Sequence, residues 1–278
     1  MVDDADRNDP FNGHMWWYGK PEVEQKGGSR YEAKKQVLRD FAETAKLGEG
    51  MRVLEFGSGV GGAAVWLAEQ YGATVVGVSN TDDLQQQARQ LAARRERSGH
   101  LKPRLASFAT IGDTDYQHFS LFSPESFDVF LFMESPCHLP ADNLPKLFAA
   151  AARVVKPGGW LLGQDWLQRP WGPAEHERSP MEIDALVQDV CEAFHLGHLG
   201  TLDGYSAHIA AAGFKVDQDQ SRDMFLSHPA YSSTESPESW TSYDGPEGKL
   251  LNDQHRAMHA ARAAGVFTVG TFAATRLG

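Results

Sequence analysis

The densest chemistry-bearing pattern in the chain is Val53-Leu54-Glu55-Phe56-Gly57-Ser58-Gly59-Val60-Gly61-Gly62, set between a predicted strand and a predicted helix. Glycines here let the backbone turn sharply and lie close to a ligand, and the helix N-terminus adds free N–H groups. Such a loop can hold a pyrophosphate. The spacing Glu-x-Gly-x-Gly-x-Gly, with an acidic residue ending the strand, nevertheless departs from the Gly-x-Gly-x-x-Gly of dinucleotide sites. A carboxylate beside the loop repels pyrophosphate and suits a ligand that carries ammonium and sulfonium charges. Glycine also gathers in ordinary turns, so the packing glycines of a generic Rossmann-like domain are the competing reading.

A second group is Met133-Glu134-Ser135-Pro136-Cys137-His138-Leu139-Pro140. Glu134 and His138 bring a carboxylate and an imidazole to one loop, the residue types of proton transfer. Glu134 equally suits a cofactor contact or a turn cap, and His138 a structural histidine bonded to backbone. Aromatic residues form the third group, with Trp16, Trp17 and Tyr18 near the start and Trp166 and Trp171 later. They suit the wall of a dry pocket, or a seal between an N-terminal arm and the core. His195-x-x-His198 has helix-compatible metal spacing, but no third ligand is evident and Gly197 breaks the helix, so no metal is expected.

These residues need elements to hold them. Residues 30–47 show helical spacing, with Tyr31, Val37, Leu38, Phe41 and Ala45 near one face, and Gly48 and Gly50 end it. A strand over 52–56 precedes the glycine turn and a helix over 63–70. The alternation continues with strand 74–78, helix 82–97, strands 104–108 and 127–133, helix 142–154 and strand 160–165. Short apolar strands alternating with helices imply a mostly parallel sheet covered on both faces. Residues 167–205 break the rhythm with Pro170, Trp171 and Pro173 and an amphipathic stretch over 181–195, and are expected to lie over the carboxyl ends of the strands. A helix over 204–212, a strand over 214–220, a helix over 248–264 and a strand over 267–276 complete the sequence, the last strands pairing antiparallel.

The glycine segment resembles motif I of class I S-adenosylmethionine-dependent methyltransferases. Phe127-Asp128-Val129-Phe130 and Arg153-Val154-Val155-Lys156-Pro157-Gly158-Gly159 resemble the fourth strand and the turn before the fifth strand of that family, so the likeness covers roughly residues 50–165. It implies an α/β, Rossmann-like class I methyltransferase fold: a seven-stranded mostly parallel sheet with helices on both faces and a cap insertion. It divides the chain into an N-terminal arm or lid over 1–29 and a methyltransferase domain over 30–278, with the cap at about 167–205. S-adenosyl-L-methionine is the cofactor implied, with Glu55, Gly57, Ser58, Gly59, Ser79, Asn80, Thr81, Gln85 and Met133 as candidates to bind it. One feature departs from the family: its second strand ends in Asp or Glu for the ribose hydroxyls, whereas here it runs Val76-Gly77-Val78-Ser79-Asn80-Thr81. The Asn80 amide oxygen can accept one such bond, helped by Ser79 or Thr81. The adenine contacts after the third strand, in residues 108–115, do not align.

Glu134 with Cys137, His138 and Pro140, together with Gln85, Gln86, Gln87 and the run Trp16-Trp17-Tyr18-Gly19, resembles the C-methyltransferases that act on sterol tails and their bacterial relatives acting on prenyl groups. That likeness implies C-methylation of an isoprenoid or prenylated natural product, with Glu134, His138 and Tyr18 as catalytic candidates and Trp16, Trp17, Trp166 and Trp171 lining the substrate. An alkene acceptor becomes a carbocation, which needs aromatic faces or a carboxylate, and finally a base. O- or N-methylation of a specialised metabolite, and a cyclase that binds the cofactor without transferring methyl, are the alternatives. Arg169, Lys20, Lys35 and Arg30 are the basic residues placed near the site, a thin supply for a diphosphate.

Size and composition bound the rest. The 278 residues, 41% hydrophobic, suffice for one generous domain with a cap. A formal net charge of −11 makes nucleic acid and anionic membranes poor partners. No run of about 18 apolar residues appears and the N-terminus is acidic, so a cytoplasmic protein is expected. Cys137 and Cys191 exclude a disulfide framework and a Cys-rich zinc site. A small-molecule substrate is the expected partner, with a homo-oligomer left open.

Overall fold

A computed structural model of the protein describes residues 18–169, 179–224 and 245–278. A short helix α1 (Pro21–Gln25) leads into α2 (Arg30–Ala45), whose Ser29 cap accepts the Glu32 N–H and whose end is a left-handed Lys46. Then come β1 (Arg52–Phe56), α3 (Gly62–Tyr71), β2 (Thr74–Ser79), α4 (Asp82–Arg97), β3 (Ala106–Thr110), β4 (Phe127–Met133), α5 (Leu144–Val154) and β5 (Val155–Gln168). Helix α4 carries Asp82 and Asp83 in its first turn and Arg94, Arg95 and Arg97 in its last, matching its dipole at both ends. The later elements are α6 (Pro180–Phe194), α7 (Leu202–Ala211), β6 (Phe214–Val216), β7 (Arg222–Asp223), α8 (Gly245–Ala263) and β8 (Phe267–Arg276).

The strands form one sheet in the order β3-β2-β1-β4-β5-β8-β6, with the two-residue β7 beside β8. Strands β1 to β5 run parallel, and β8 is antiparallel to both β5 and β6. This is the expected α/β architecture, seven strands on the main path and an eighth at its margin. Both faces are covered. One core gathers Val37, Leu38 and Phe41 of α2 with Trp66 and Leu67 of α3. The other is phenylalanine-rich, stacking Phe130, Phe132 and Phe272 of the sheet under Phe148 of α5 and Tyr205 of α7.

Several boundaries differ from those expected, for local reasons. Strand β3 starts two residues late because Arg104 is left-handed, φ 66°. Strand β5 begins at Val155, and the expected turn at Lys156–Gly159 survives inside it as an irregularity in the β4 pairing, with Gly158 at φ 77°. Strand β6 stops at Val216 because the Asp217 carboxylate accepts the Asp219 and Gln220 amides and turns the backbone. Helix α5 starts at Leu144, after a single 3-10 turn over Ala141–Asn143. Helix α6 confirms the amphipathic stretch, opened by Pro180 and a capping box between Ser179 and Glu182. Among the described residues no helix is long and apolar enough to cross a membrane.

Candidate active site

Strand β1 lies between β2 and β4, so the strand order reverses at its carboxyl end, where ligands of open α/β sheets bind. Glu55 sits there, 2% exposed. Burial pushes its carboxyl up to about 8, opposed by a bond from the Ala64 N–H. Its Oε2 has no hydrogen-bond partner. A buried carboxylate oxygen left bare in a folded core is costly unless a ligand completes it.

The glycine loop beside Glu55 is pinned from several sides. The Gly57 and Ser58 N–H groups both donate to the Val78 carbonyl. Gly57 (φ 71°) and Gly61 (φ 79°) occupy the left-handed region, and a Cβ on Gly61 would lie 2.6 Å from Phe108 Cζ. Ser58 and Gln85 do not face outward: Gln85, fully buried on α4, donates from Nε2 to Ser58 Oγ and to the Gly59 carbonyl, both at 3.1 Å. They set the loop's shape from below.

At the end of β2, Ser79 is buried and its Oγ accepts the Thr81 N–H, while Asn80 and Thr81 are exposed. Asn80 Oδ1 accepts from Thr81 Oγ1, and Asn80 Nδ2 donates to Asp113 Oδ1 at 3.1 Å. Asp113 comes from the turn after β3, a stretch that departs from the family pattern. A carboxylate from the turn after β3 thus lies one hydrogen bond from the end of β2.

Met133 ends β4 and Glu134 follows it. Glu134 is 8% exposed and left-handed, φ 50°. Its Oε1 accepts the Tyr18 N–H at 3.0 Å and Gln164 Nε2 at 2.8 Å, and Gln164 Nε2 also donates to the Tyr18 carbonyl at 3.0 Å. Glu134 and Tyr18, two of the catalytic candidates, are therefore brought together, and Gln164 of β5 ties both. Trp166, two residues on, is 3% exposed and meets the rings of Tyr18, Phe194 and Phe267 at centroid distances of 5.9, 4.9 and 5.4 Å. The Arg262 guanidinium lies over Tyr18 at 5.9 Å. Trp16, Trp17 and Trp171 lie outside the described residues.

His138 is not part of this group. It is exposed, with Nδ1 3.3 Å from the His195 carbonyl. What anchors its loop is Asp165, fully buried: Oδ2 accepts the Cys137 N–H at 2.9 Å and the Tyr205 hydroxyl at 2.8 Å, and Oδ1 the Trp166 N–H. Burial pushes Asp165 up to about 7, against the Cys137 side chain, the Tyr205 hydroxyl and the Trp166 N–H. The Gly197 and His198 N–H groups donate to the Cys137 carbonyl, so the segment after α6 is stitched to the loop after β4. His198 Nδ1 lies 2.7 Å from the Leu139 carbonyl, which can only accept, so that nitrogen carries a proton. Among the described residues no group of three or more His, Cys, Asp or Glu could hold a metal ion. Three of the four basic candidates are matched to carboxylates: Lys20 to Asp40, Lys35 to Glu32 and Arg169 to Asp223.

Residues 29–219 match the methyltransferase domain family. The chain belongs to that family. It is 30% identical over 144 residues to a probable chloroplastic tocopherol O-methyltransferase of Oryza sativa subsp. japonica, covering 52% of this chain and 36% of that protein. It is 31% identical over 160 residues to sterol methyltransferase-like 1 of Botryococcus braunii, covering 56% and 38%. The matched stretch thus spans little more than a third of either relative's length. Among solved structures, geranyl diphosphate C-methyltransferase of Streptomyces coelicolor A3(2) shares the fold with a TM-score of 0.69 and 15% identity, over 98% of this chain and 93% of that one.

S-adenosyl-L-methionine is the cofactor that goes with this membership, and the residues present fit it. The bare Glu55 Oε2 suits an ammonium group, the glycine backbone leaves room for close approach, and Asp113 and Asn80 offer acceptors for ribose hydroxyls.

The contacts not foreseen from sequence are Gln164, Asp165, Asp113, Phe194 and Phe267. A signal existed for the first two: adjacent polar residues inside an otherwise apolar central strand. Phe194 and Phe267 come from distant segments and carry no sequence signal.

Proposed function

We propose that the protein is an S-adenosyl-L-methionine-dependent methyltransferase that C-methylates an isoprenoid or prenylated small molecule. The observation that carries it is the convergence, at one end of the sheet, of a bare buried carboxylate beside a glycine loop with a cage of aromatic rings. When bound, the cofactor supplies a methyl group on a positively charged sulfur. Glu55 and the backbone of Gly57 to Gly59 hold its amino-acid end, and Asp113, Asn80 and Thr81 its ribose. The faces of Tyr18, Trp166, Phe194 and Phe267 exclude water and offer π density to positive charge developing on the acceptor. Glu134, held by the Tyr18 peptide and Gln164, adds a fixed negative charge at the same place. His138 is exposed and lies outside this cluster, so the Glu134 carboxylate is the group placed to receive the proton the acceptor gives up. The sterol methyltransferase-like relative and the fold shared with a geranyl diphosphate C-methyltransferase support this reading.

The likeness to a tocopherol O-methyltransferase favours a second reading, O-methylation of a prenylated alcohol or phenol. Incubation with methyl-labelled donor and a panel of sterols, prenyl diphosphates and prenylated indoles separates the two through the position of the new methyl in the product's mass spectrum. C-methylation predicts label on carbon with loss of an acceptor proton; transfer to hydroxyl or amine alone overturns it.

A further inference from the structure

Two buried polar atoms on one face of β5 have no partner, and they lie beside the cage rather than the glycine loop. Gln164 is fully buried, and its amide orientation is fixed: Nε2 donates to two acceptors, Glu134 Oε1 and the Tyr18 carbonyl, so the other end must be the oxygen. That Oε1 has no partner. Trp166, the next residue on the same face, is 3% exposed, and its Nε1 has no partner either. Buried polar atoms are almost always paired, and each bare one destabilises the fold unless something binds there.

The two atoms have opposite demands. Gln164 Oε1 can only accept a hydrogen bond, and Trp166 Nε1 can only donate one. A phosphate oxygen satisfies Trp166 but brings no proton for Gln164, and it meets the Glu134 carboxylate one hydrogen bond away. An ammonium group satisfies Gln164 but leaves the indole N–H bare. A hydroxyl does both, since it donates one bond and accepts another. Alternate residues of a strand share a face with their Cα atoms about 7 Å apart, and one hydroxyl bonded to both side-chain tips spans at most about 6 Å, so the two tips bind it by leaning toward each other. The rings of Tyr18, Phe194 and Phe267 around Trp166 suit the apolar body of the same molecule.

We propose that Gln164 and Trp166 form a subsite for an uncharged hydroxyl, so that the molecule methylated is a lipophilic alcohol or phenol rather than a diphosphate or an amine. The proposal rests on the methyltransferase reading above and names its substrate class. Both atoms are buried.

The test is binding, on the full-length protein saturated with S-adenosylhomocysteine, read by tryptophan fluorescence in detergent micelles. The probes are farnesol against farnesene, cholesterol against cholestene, and farnesyl diphosphate. One satisfied hydrogen bond is worth roughly fivefold, so at least one alcohol binds roughly 25-fold tighter than its hydrocarbon, and farnesyl diphosphate binds more weakly than farnesol. Trp166→Phe keeps a ring but loses the N–H and some apolar contact, so it weakens the alcohol roughly fivefold more than it weakens the hydrocarbon. Gln164→Leu does the same from the other side; if it fails to fold, Trp166→Phe decides. The proposal is overturned if neither alcohol binds better than its hydrocarbon, if the diphosphate binds tighter than farnesol, or if Trp166→Phe leaves the preference intact. It is overturned too if these substitutions weaken S-adenosylhomocysteine as much as the alcohol, because the bare atoms then belong to the cofactor. Calorimetry with S-adenosylhomocysteine alone reads the methyltransferase assignment separately, so the two failures are distinguishable.

Discussion

Cofactor binding should expel a proton from Glu55. In the ligand-free fold burial raises this carboxyl from 4.5 to about 8, so it is neutral at pH 6 to 7 while the unfolded chain has already released its proton. The folded state then binds more protons than the unfolded one, and stability falls as pH rises from about 4.5 to about 8. At about 1.4 kcal/mol per unit, the loss from this residue amounts to about 5 kcal/mol. An ammonium group against Oε2 reverses the preference and pulls the carboxylate into its charged form. Titration with S-adenosylhomocysteine near pH 6.5, in two buffers of different ionisation enthalpy, should therefore show release of about one proton per site. Affinity should climb by up to about tenfold per pH unit and level off near pH 8. Glu55→Gln should abolish both the proton release and the pH slope. An observed enthalpy that is the same in both buffers, with affinity flat from pH 5.5 to 8, would refute the pairing of Glu55 with the ammonium.

Gly61→Ala sets a Cβ 2.6 Å from Phe108 Cζ and 2.8 Å from Ala88 Cβ at φ 79°, and should cost about 2–5 kcal/mol in denaturant unfolding. Gln85→Leu removes the bonds to Ser58 and the Gly59 carbonyl, so it should lose about 1–3 kcal/mol and weaken S-adenosylhomocysteine without touching it directly. Glu134→Ala leaves the Tyr18 N–H and Gln164 Nε2 without their shared acceptor oxygen; amide exchange at Tyr18 should speed up by roughly 10- to 100-fold, and unchanged exchange would contradict the clasp. Asp165, raised from 3.8 to about 7 chiefly by burial, contributes stability that fades as pH rises through that window. The stability gap between parent and Asp165→Asn should therefore narrow between pH 4 and 7, read from urea midpoints.

What the sequence disclosed was what depends on local pattern. The glycine loop, the end of β4 and the alternation of strands and helices follow from glycine placement and hydrophobic period, and they fall where expected. Register and strand ends depend on single backbone choices, such as left-handed Arg104 or the Asp217 turn, that no period encodes. The site is legible in part for the same reason. Glu55 and Glu134 lie at strand ends and announce themselves, but the role of Glu134 as a clasp needs the Tyr18 peptide, 116 residues away, to be seen. Ser58 and Gln85 have the right residue types yet turn inward to brace the loop. The acid missing from β2 has no substitute along that strand, and the carboxylate bonded to Asn80, Asp113, comes from the turn after β3. Phe194 and Phe267 join Trp166 only because α6 and β8 fold onto β5.

A crystal structure of the protein grown with S-adenosylhomocysteine addresses the account at its root. It should show the amino group within hydrogen-bond distance of Glu55 Oε2, the backbone of residues 57–59 against the nucleoside, and the sulfur facing the Tyr18–Trp166 rings. A nucleoside bound elsewhere, or Glu55 still unpartnered with the ligand in place, would contradict it.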